Sequence, residues 1–128
     1  MNRNSGKPDL KSKYKAGMQG QQEAEDFLLT SGYLVLKRNY RTRTGEIDLI
    51  AQHRDYIVFI EVKFRSGLKF GYPREAVGRL KQQRIVRTAL HYISTNQLIN
   101  HNFRFDVIEV FVQSGQIQVN HIENAFGA

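Results

Sequence analysis

The stretch GEIDLIAQHRDYIVFIEVKFR, Gly45 to Arg65, holds two runs of Ile, Leu, Val and Phe on either side of a polar His-Arg-Asp segment. Runs of β-branched and aromatic residues around a short polar break read as a hairpin, here with strands of about Glu46–Gln52 and Tyr56–Arg65. Both faces of these strands are largely apolar, so the sheet that contains them must be covered on each side. Three charged residues interrupt the pattern: Asp48, Glu61 and Lys63. Side chains alternate along a strand, which puts Glu61 and Lys63 on the face of Ile57 and Phe59. A loop of two or four residues centred between Arg54 and Asp55 sets Asp48 opposite Glu61, with Cβ atoms roughly 4.5–5.5 Å apart. A three-residue loop would turn Asp48 to the other face.

Two carboxylates that close repel unless a cation sits between them. Paired oxygen ligands suit a hard divalent ion such as Mg²⁺, which keeps several waters and stabilises charge developing on a phosphate. Lys63 would then orient an attacking water or neutralise the transition state, and the chemistry would be phosphodiester hydrolysis. The alternative is an ordinary cross-strand ion pair on the sheet's solvent face. Against it stands the cost of half-burying charges among apolar residues, and on spacing alone both readings stay open. Glu46, two residues before Asp48, shares its face and is a further or supporting ligand.

Elsewhere the chain reads as a helix at about Lys15–Ser31 closed by Gly32, a strand at Tyr33–Tyr40 and a basic RTRTG turn. A long helix at about Pro73–Ser94 follows the hairpin, then strands at Phe103–Val112 and Ile117–Ile122. Ile85, Ala89, Tyr92 and Ile93 lie on one side of that helix and Lys81, Arg84, Arg87 and His91 on the other; Val77 and Leu80 fit its apolar face poorly. The order α, β, β, β, α, β, β implies an α/β fold, a mixed central sheet flanked by helices with the long helix as a crossover. Residues 1–14 read as a basic, disordered tail and 15–128 as one domain.

With 19 Lys and Arg against 12 Asp and Glu the net charge is +7, which favours a polyanionic partner, nucleic acid ahead of a membrane surface. Arg41 and Arg43 before the hairpin, Arg65 after it, and Lys81, Gln82, Arg84 and Arg87 on the long helix form a candidate phosphate track. No run approaches the ~20 apolar residues of a membrane span. The polar N-terminus and the absence of cysteine point to the cytoplasm. His53, His91, His101 and His121 show no zinc-type pairing, and no phosphate-loop or nucleophile-elbow motif occurs. Asp106 is expected to pair structurally with a neighbouring arginine.

The EID…EVK arrangement resembles the PD-(D/E)XK nuclease signature. A wider set of segments, GQ..A..FL...GY, RNYR...GEIDLIA, VFIEVKFR, FG.P.EAV...K, RFDVIEV and HIENAF, resembles the YraN-like family of small bacterial proteins over about Gly17 to Phe126. The resemblance implies a restriction-endonuclease-like fold similar to archaeal Holliday-junction resolvases. It makes Asp48, Glu61 and the Val62 carbonyl ligands of Mg²⁺ or Mn²⁺, and Lys63 the catalytic lysine. It also implies DNA as substrate, branched DNA included, and a homodimer, since symmetric cleavage of a junction needs two sites. One position departs from the family pattern: Gln21 stands in the first helix where a glutamate that supports the metal is usual. Glu25, one turn on from Gln21, is a stand-in candidate, though it and Glu23 read more simply as solvated helix charges. Gln21 is the feature that favours the rival reading, a nucleic-acid-binding protein of the same fold without turnover.

Overall fold

The computed structural model describes residues 10–65 and 77–127. Seven elements follow the expected order: α1 (Leu10–Thr30), β1 (Leu34–Thr42), β2 (Gly45–His53), β3 (Tyr56–Arg65), α2 (Arg79–Thr95), β4 (Asn102–Gln113) and β5 (Gln116–Phe126). The strands form one mixed sheet in sequential order. β1, β2 and β3 run as an antiparallel meander, β3 pairs in parallel with β4, and β4 turns back antiparallel into β5. The parallel step is bridged by α2, because parallel neighbours cannot be joined by a tight turn.

Strand alternation assigns the two cores. Val58, Ile60, Leu49 and Ala51 pack with Ala24 and Leu28 of α1. Ile57, Phe59 and Ile50 pack with Ile85, Ala89, Tyr92 and Ile93 of α2. These side chains are essentially shielded from water, each Val, Leu, Ile and Phe among them contributing roughly 1.5–3 kcal/mol. The helix face expected from periodicity is the buried one, with Thr88 added to it.

Three boundaries differ from the sequence reading. α1 starts at Leu10, so residues 10–14 of the expected tail are helical; lysine-rich segments favour helix without showing apolar periodicity. Residues 1–9 lie outside the described residues. α2 starts at Arg79, because extended Gly78 (φ −72°, ψ 167°) caps it and accepts the first helical bond from Gln82 N–H at 2.9 Å. Val77 is therefore free of the helix and buried in the α2-side core, while Leu80 is exposed. Residues 73–76, where Pro73 was expected to open the helix, are also outside the described residues. β5 continues to Phe126 past a register shift at Phe105/Val107, where Asn124 N–H donates to Asp106 rather than to a strand carbonyl.

Candidate active site

The β2–β3 hairpin turns on two residues, Arg54 and Asp55, with Arg54 at φ 59°, and pairs His53 with Tyr56 and Leu49 with Ile60. The even loop is thus present. The ladder ends at Leu49 and Ile60, and the next donor, Val62 N–H, goes to the Asp48 carboxylate at 2.8 Å. A side chain here takes the place of a strand carbonyl. Asp48 and Glu61 consequently come together where the ladder ends, close enough for each charge to act on the other and for Lys81 of α2 to act on both.

Burial, then the neighbouring Glu61 charge, push the Asp48 carboxyl up to about 7; the Val62 bond and the Lys81 ammonium oppose the rise without cancelling it. Glu61 itself is buried at 6% exposure. Its Oε2 is shared by two ammonium groups: Lys63 Nζ at 3.5 Å and Lys81 Nζ, which reaches in from the first turn of α2 in direct contact. Burial lowers the Lys63 pKa, and the adjacent Lys81 charge adds to the fall against the pull of Glu61. Burial also acts to lower Lys81, but its hydrogen bond to Glu61 and that residue's charge outweigh it and raise the pKa.

The donor chemistry fits a hard divalent cation. Asp48 Oδ2 accepts from Val62 N–H and Glu61 Oε2 holds the two lysines, so Oδ1 and Oε1 are the further carboxylate oxygens that an ion would draw on. In a strand a residue's N–H and C=O point to the same edge, so the Val62 carbonyl is directed to the Asp48 side as well. Among the described residues no group of three or more His, Asp or Glu side chains is placed to hold a metal, so an ion would rest on two carboxylates, that carbonyl and water.

The supporting residues divide. Glu46 is paired with Arg41 at 3.3 Å, and its charge adds to the rise at Asp48. Gln21 donates to Asn39 at 2.9 Å. Glu25 is neither a solvated helix charge nor a stand-in ligand: it is buried and held by both Arg38 nitrogens that face it, Nε and Nη2. Helical periodicity could not reveal this, because Arg38 comes from β1. Of the expected phosphate track, Arg41, Arg43 and Arg84 line one cleft. Lys81 joins the carboxylates instead, and Gln82 donates its amide to the Val77 carbonyl at 2.9 Å. Arg87 is exposed on the solvent side of α2. Arg65 Nε lies 3.8 Å from buried Glu109.

The opposite face of the sheet carries a second polar cluster. Asp106, fully buried, accepts two bonds from Arg104 at 2.9 Å, one from Asn124 N–H at 3.0 Å, and lies 2.7 Å from His121 Nε2. The expected arginine pairing is present, joined by a histidine that no local pattern could place there. Burial works against ionised Asp106, but the bonds from His121 and Arg104 more than compensate and hold its pKa below the usual carboxylate range. Arg104 also donates to Tyr33 Oη at 2.7 Å, and the Tyr33 ring stacks on His53.

No helix among the described residues is long and apolar enough to cross a membrane. The profile of the family described as "Uncharacterised protein family UPF0102" matches residues 20–110. A UPF0102 protein of Clostridium acetobutylicum is 50% identical over 114 residues, covering 88% of this chain and 93% of its own length. Another, of Caldicellulosiruptor saccharolyticus, is 42% identical over 117 residues, covering 90% and 99%. Among solved structures, the Pyrococcus furiosus SfsA complex with Ca²⁺ is similar at a TM-score of 0.41 and 15% identity; 87% of this chain aligns, spanning 63% of that one, less than two thirds. From the profile match and the identity of these relatives, the chain belongs to the UPF0102 (YraN) family, a nuclease-like family of the PD-(D/E)XK type.

Proposed function

We propose that this protein is a metal-dependent DNA endonuclease that hydrolyses phosphodiester bonds, with branched DNA as its substrate class and a homodimer as its working form. The observation that carries this reading is the Asp48–Glu61 pair, drawn together where the β2–β3 ladder ends, with Lys63 beside it. Asp48, Glu61 and the Val62 carbonyl would hold Mg²⁺ or Mn²⁺, which supplies Lewis acidity toward water and the scissile phosphate. Glu61 must release at least one ammonium to do so, and the freed Lys81 is placed to meet a phosphate oxygen. Lys63, its pKa lowered by burial, is suited to exchange a proton at Nζ with the attacking water. Arg41, Arg43, Arg65, Arg84 and Arg87 would contact flanking phosphates, and Gln82 would lie near them.

The test is cleavage of linear, flap and four-way-junction DNA with Mg²⁺, Mn²⁺ or EDTA, beside Asp48→Ala and Lys63→Ala. Metal-dependent products from the wild type that vanish in both variants are expected; full cleavage by Asp48→Ala would sink the reading. Strictly monomeric sedimentation at working concentration argues against symmetric junction cleavage. Lys81→Ala separates two roles of one side chain. Without the ammonium on Glu61, calorimetry is expected to find Mn²⁺ bound about fivefold tighter in the absence of DNA, while turnover falls. Unchanged metal affinity would mean that Lys81 does not compete for the site.

A second reading has its own support. Gln21 contributes no charge and is engaged with Asn39, which favours a DNA-binding protein of this fold without turnover. It predicts salt-sensitive binding and no cleavage, with Gln21→Glu as the next protein to assay.

A further inference from the structure

The β1–β2 turn and α2 border a cleft of about 470 Å³ whose arginines the proposed function uses only for flanking phosphates. Arg41, Arg43 and Arg84 line it together with Glu46, three basic residues to one acidic. Glu46 pairs with Arg41, and the described lining carries a net charge of +2 from three arginines and one glutamate. The walls are fixed from behind by hydroxyls: Thr44 Oγ1 lies 2.9 Å from Thr42 Oγ1 and 3.0 Å from Thr88 Oγ1, and Thr88 donates to the Arg84 carbonyl at 2.8 Å. Gly45 permits this approach. A Cβ there would meet Thr88 Oγ1 at 3.3 Å and Arg84 Cβ at 3.4 Å, close enough that the neighbours would have to give by a few tenths of an ångström.

We propose that this cleft binds the terminal phosphate of a broken DNA strand, held by Arg41, Arg43 and Arg84 beside the Asp48–Glu61 pair. The charge fits a phosphomonoester dianion better than the single charge of an internal diester. Guanidinium forks match phosphate oxygens in bidentate geometry. Among the described lining residues there is no aromatic ring, so a base would find only guanidinium planes to stack on. Its place in the fold supplies the link to the chemistry, since Glu46 precedes Asp48 by two strand residues, about 6–7 Å. A phosphate end seated here, at a nick or gap, would bring an adjoining strand to the carboxylates. The inference rests on the reading of this chain as a protein that acts on DNA.

The test is metal-free binding, in EDTA at one fixed salt concentration, to a duplex with a single nick whose 5′ or 3′ side carries either phosphate or hydroxyl. One of the phosphorylated nicks is expected to bind about tenfold tighter than its hydroxyl counterpart. Arg43→Ala and Arg84→Ala are expected to abolish that ratio while weakening unbroken duplex far less. Equal binding of phosphate and hydroxyl ends overturns the proposal, as does an equal loss on unbroken duplex. Inorganic phosphate and pyrophosphate titrated alone are expected to bind at least tenfold more weakly than the phosphorylated nick, and tighter binding of the free anions assigns the cleft to them instead. No cleavage is read, so failure of this proposal leaves the nuclease reading standing, and absence of turnover leaves the phosphate site standing.

Discussion

Asp48→Asn is expected to cut metal-dependent cleavage by about 10³-fold or more and, in EDTA at pH 8, to raise the thermal midpoint. The two effects share one cause. In the folded protein the Asp48 carboxyl is raised to about 7 by burial and by Glu61, whereas an unfolded aspartate titrates near ~3.9. The folded state therefore binds this proton more tightly than the unfolded one. Stability of the metal-free protein should fall as pH rises from about 4 through about 7, and the deficit is complete above that. An asparagine at this position carries no charge to desolvate and keeps an oxygen for Val62 N–H. The gain at pH 8 is expected to be roughly 1–3 kcal/mol, or about 5–10 °C, to shrink by pH 5 and to disappear toward about pH 4. Mn²⁺ should stabilise the wild type at pH 8 and leave the Asp48→Asn protein nearly unmoved. Melting curves at several pH values, with and without metal, decide it. A wild-type midpoint in EDTA that does not change relative to the variant between pH 5 and 8 would show that the carboxylates do not confront one another.

The largest loss of stability is expected from Asp106→Ala. This carboxylate holds Arg104, which is itself only 11% exposed, together with His121 and the Asn124 backbone N–H. Removing it leaves a buried guanidinium without its principal counter-charge, at a cost of about 3–5 kcal/mol, which corresponds to a midpoint lower by roughly 10–20 °C. Asp106→Asn should be milder, since the amide oxygen can still accept. The pH dependence has the opposite sign from that of Asp48. The folded pKa of Asp106 is depressed, so its contribution is complete above about pH 4 and is lost as pH falls through the folded value. Denaturant titrations at pH 7 and below pH 4 test both points: Asp106→Ala should be much weaker than the wild type at pH 7, with the gap narrowing in acid. A variant as stable as the wild type at pH 7 would show the cluster to be energetically idle.

Alternation sets the faces of the hairpin, but its polar break allowed an even or a three-residue loop, and the fold supplies the two-residue turn. Numbering alone could therefore bring Glu61 and Lys63 together, and Asp48 to them only for an even loop. Lys81 was legible as a helix-surface cation but not as a partner of Glu61, since that contact depends on how α2 lies across the sheet. The same limit hid Arg38 from Glu25 and His121 from Asp106, all pairs contributed by separate elements. The start of α2 was placed too early because proline signals a first turn while an extended glycine stops a helix, and only the fold shows which acts. The cleft was invisible for a further reason. Its hydroxyl support comes from threonines, among the least informative residues in a turn, and its closeness comes from Gly45 having no side chain at all.

The bond from Val62 N–H to Asp48 also bears on descent. A lineage of this fold that gave up hydrolysis would still need an acceptor for that amide, and either aspartate or asparagine would serve. The Lys63 side chain makes no bond on which the sheet depends; it meets the charges of Glu61 and Lys81. An acidic residue at the first position thus records the architecture of the sheet as much as its chemistry. Substitution of the lysine is where the retirement of such an enzyme would first be written.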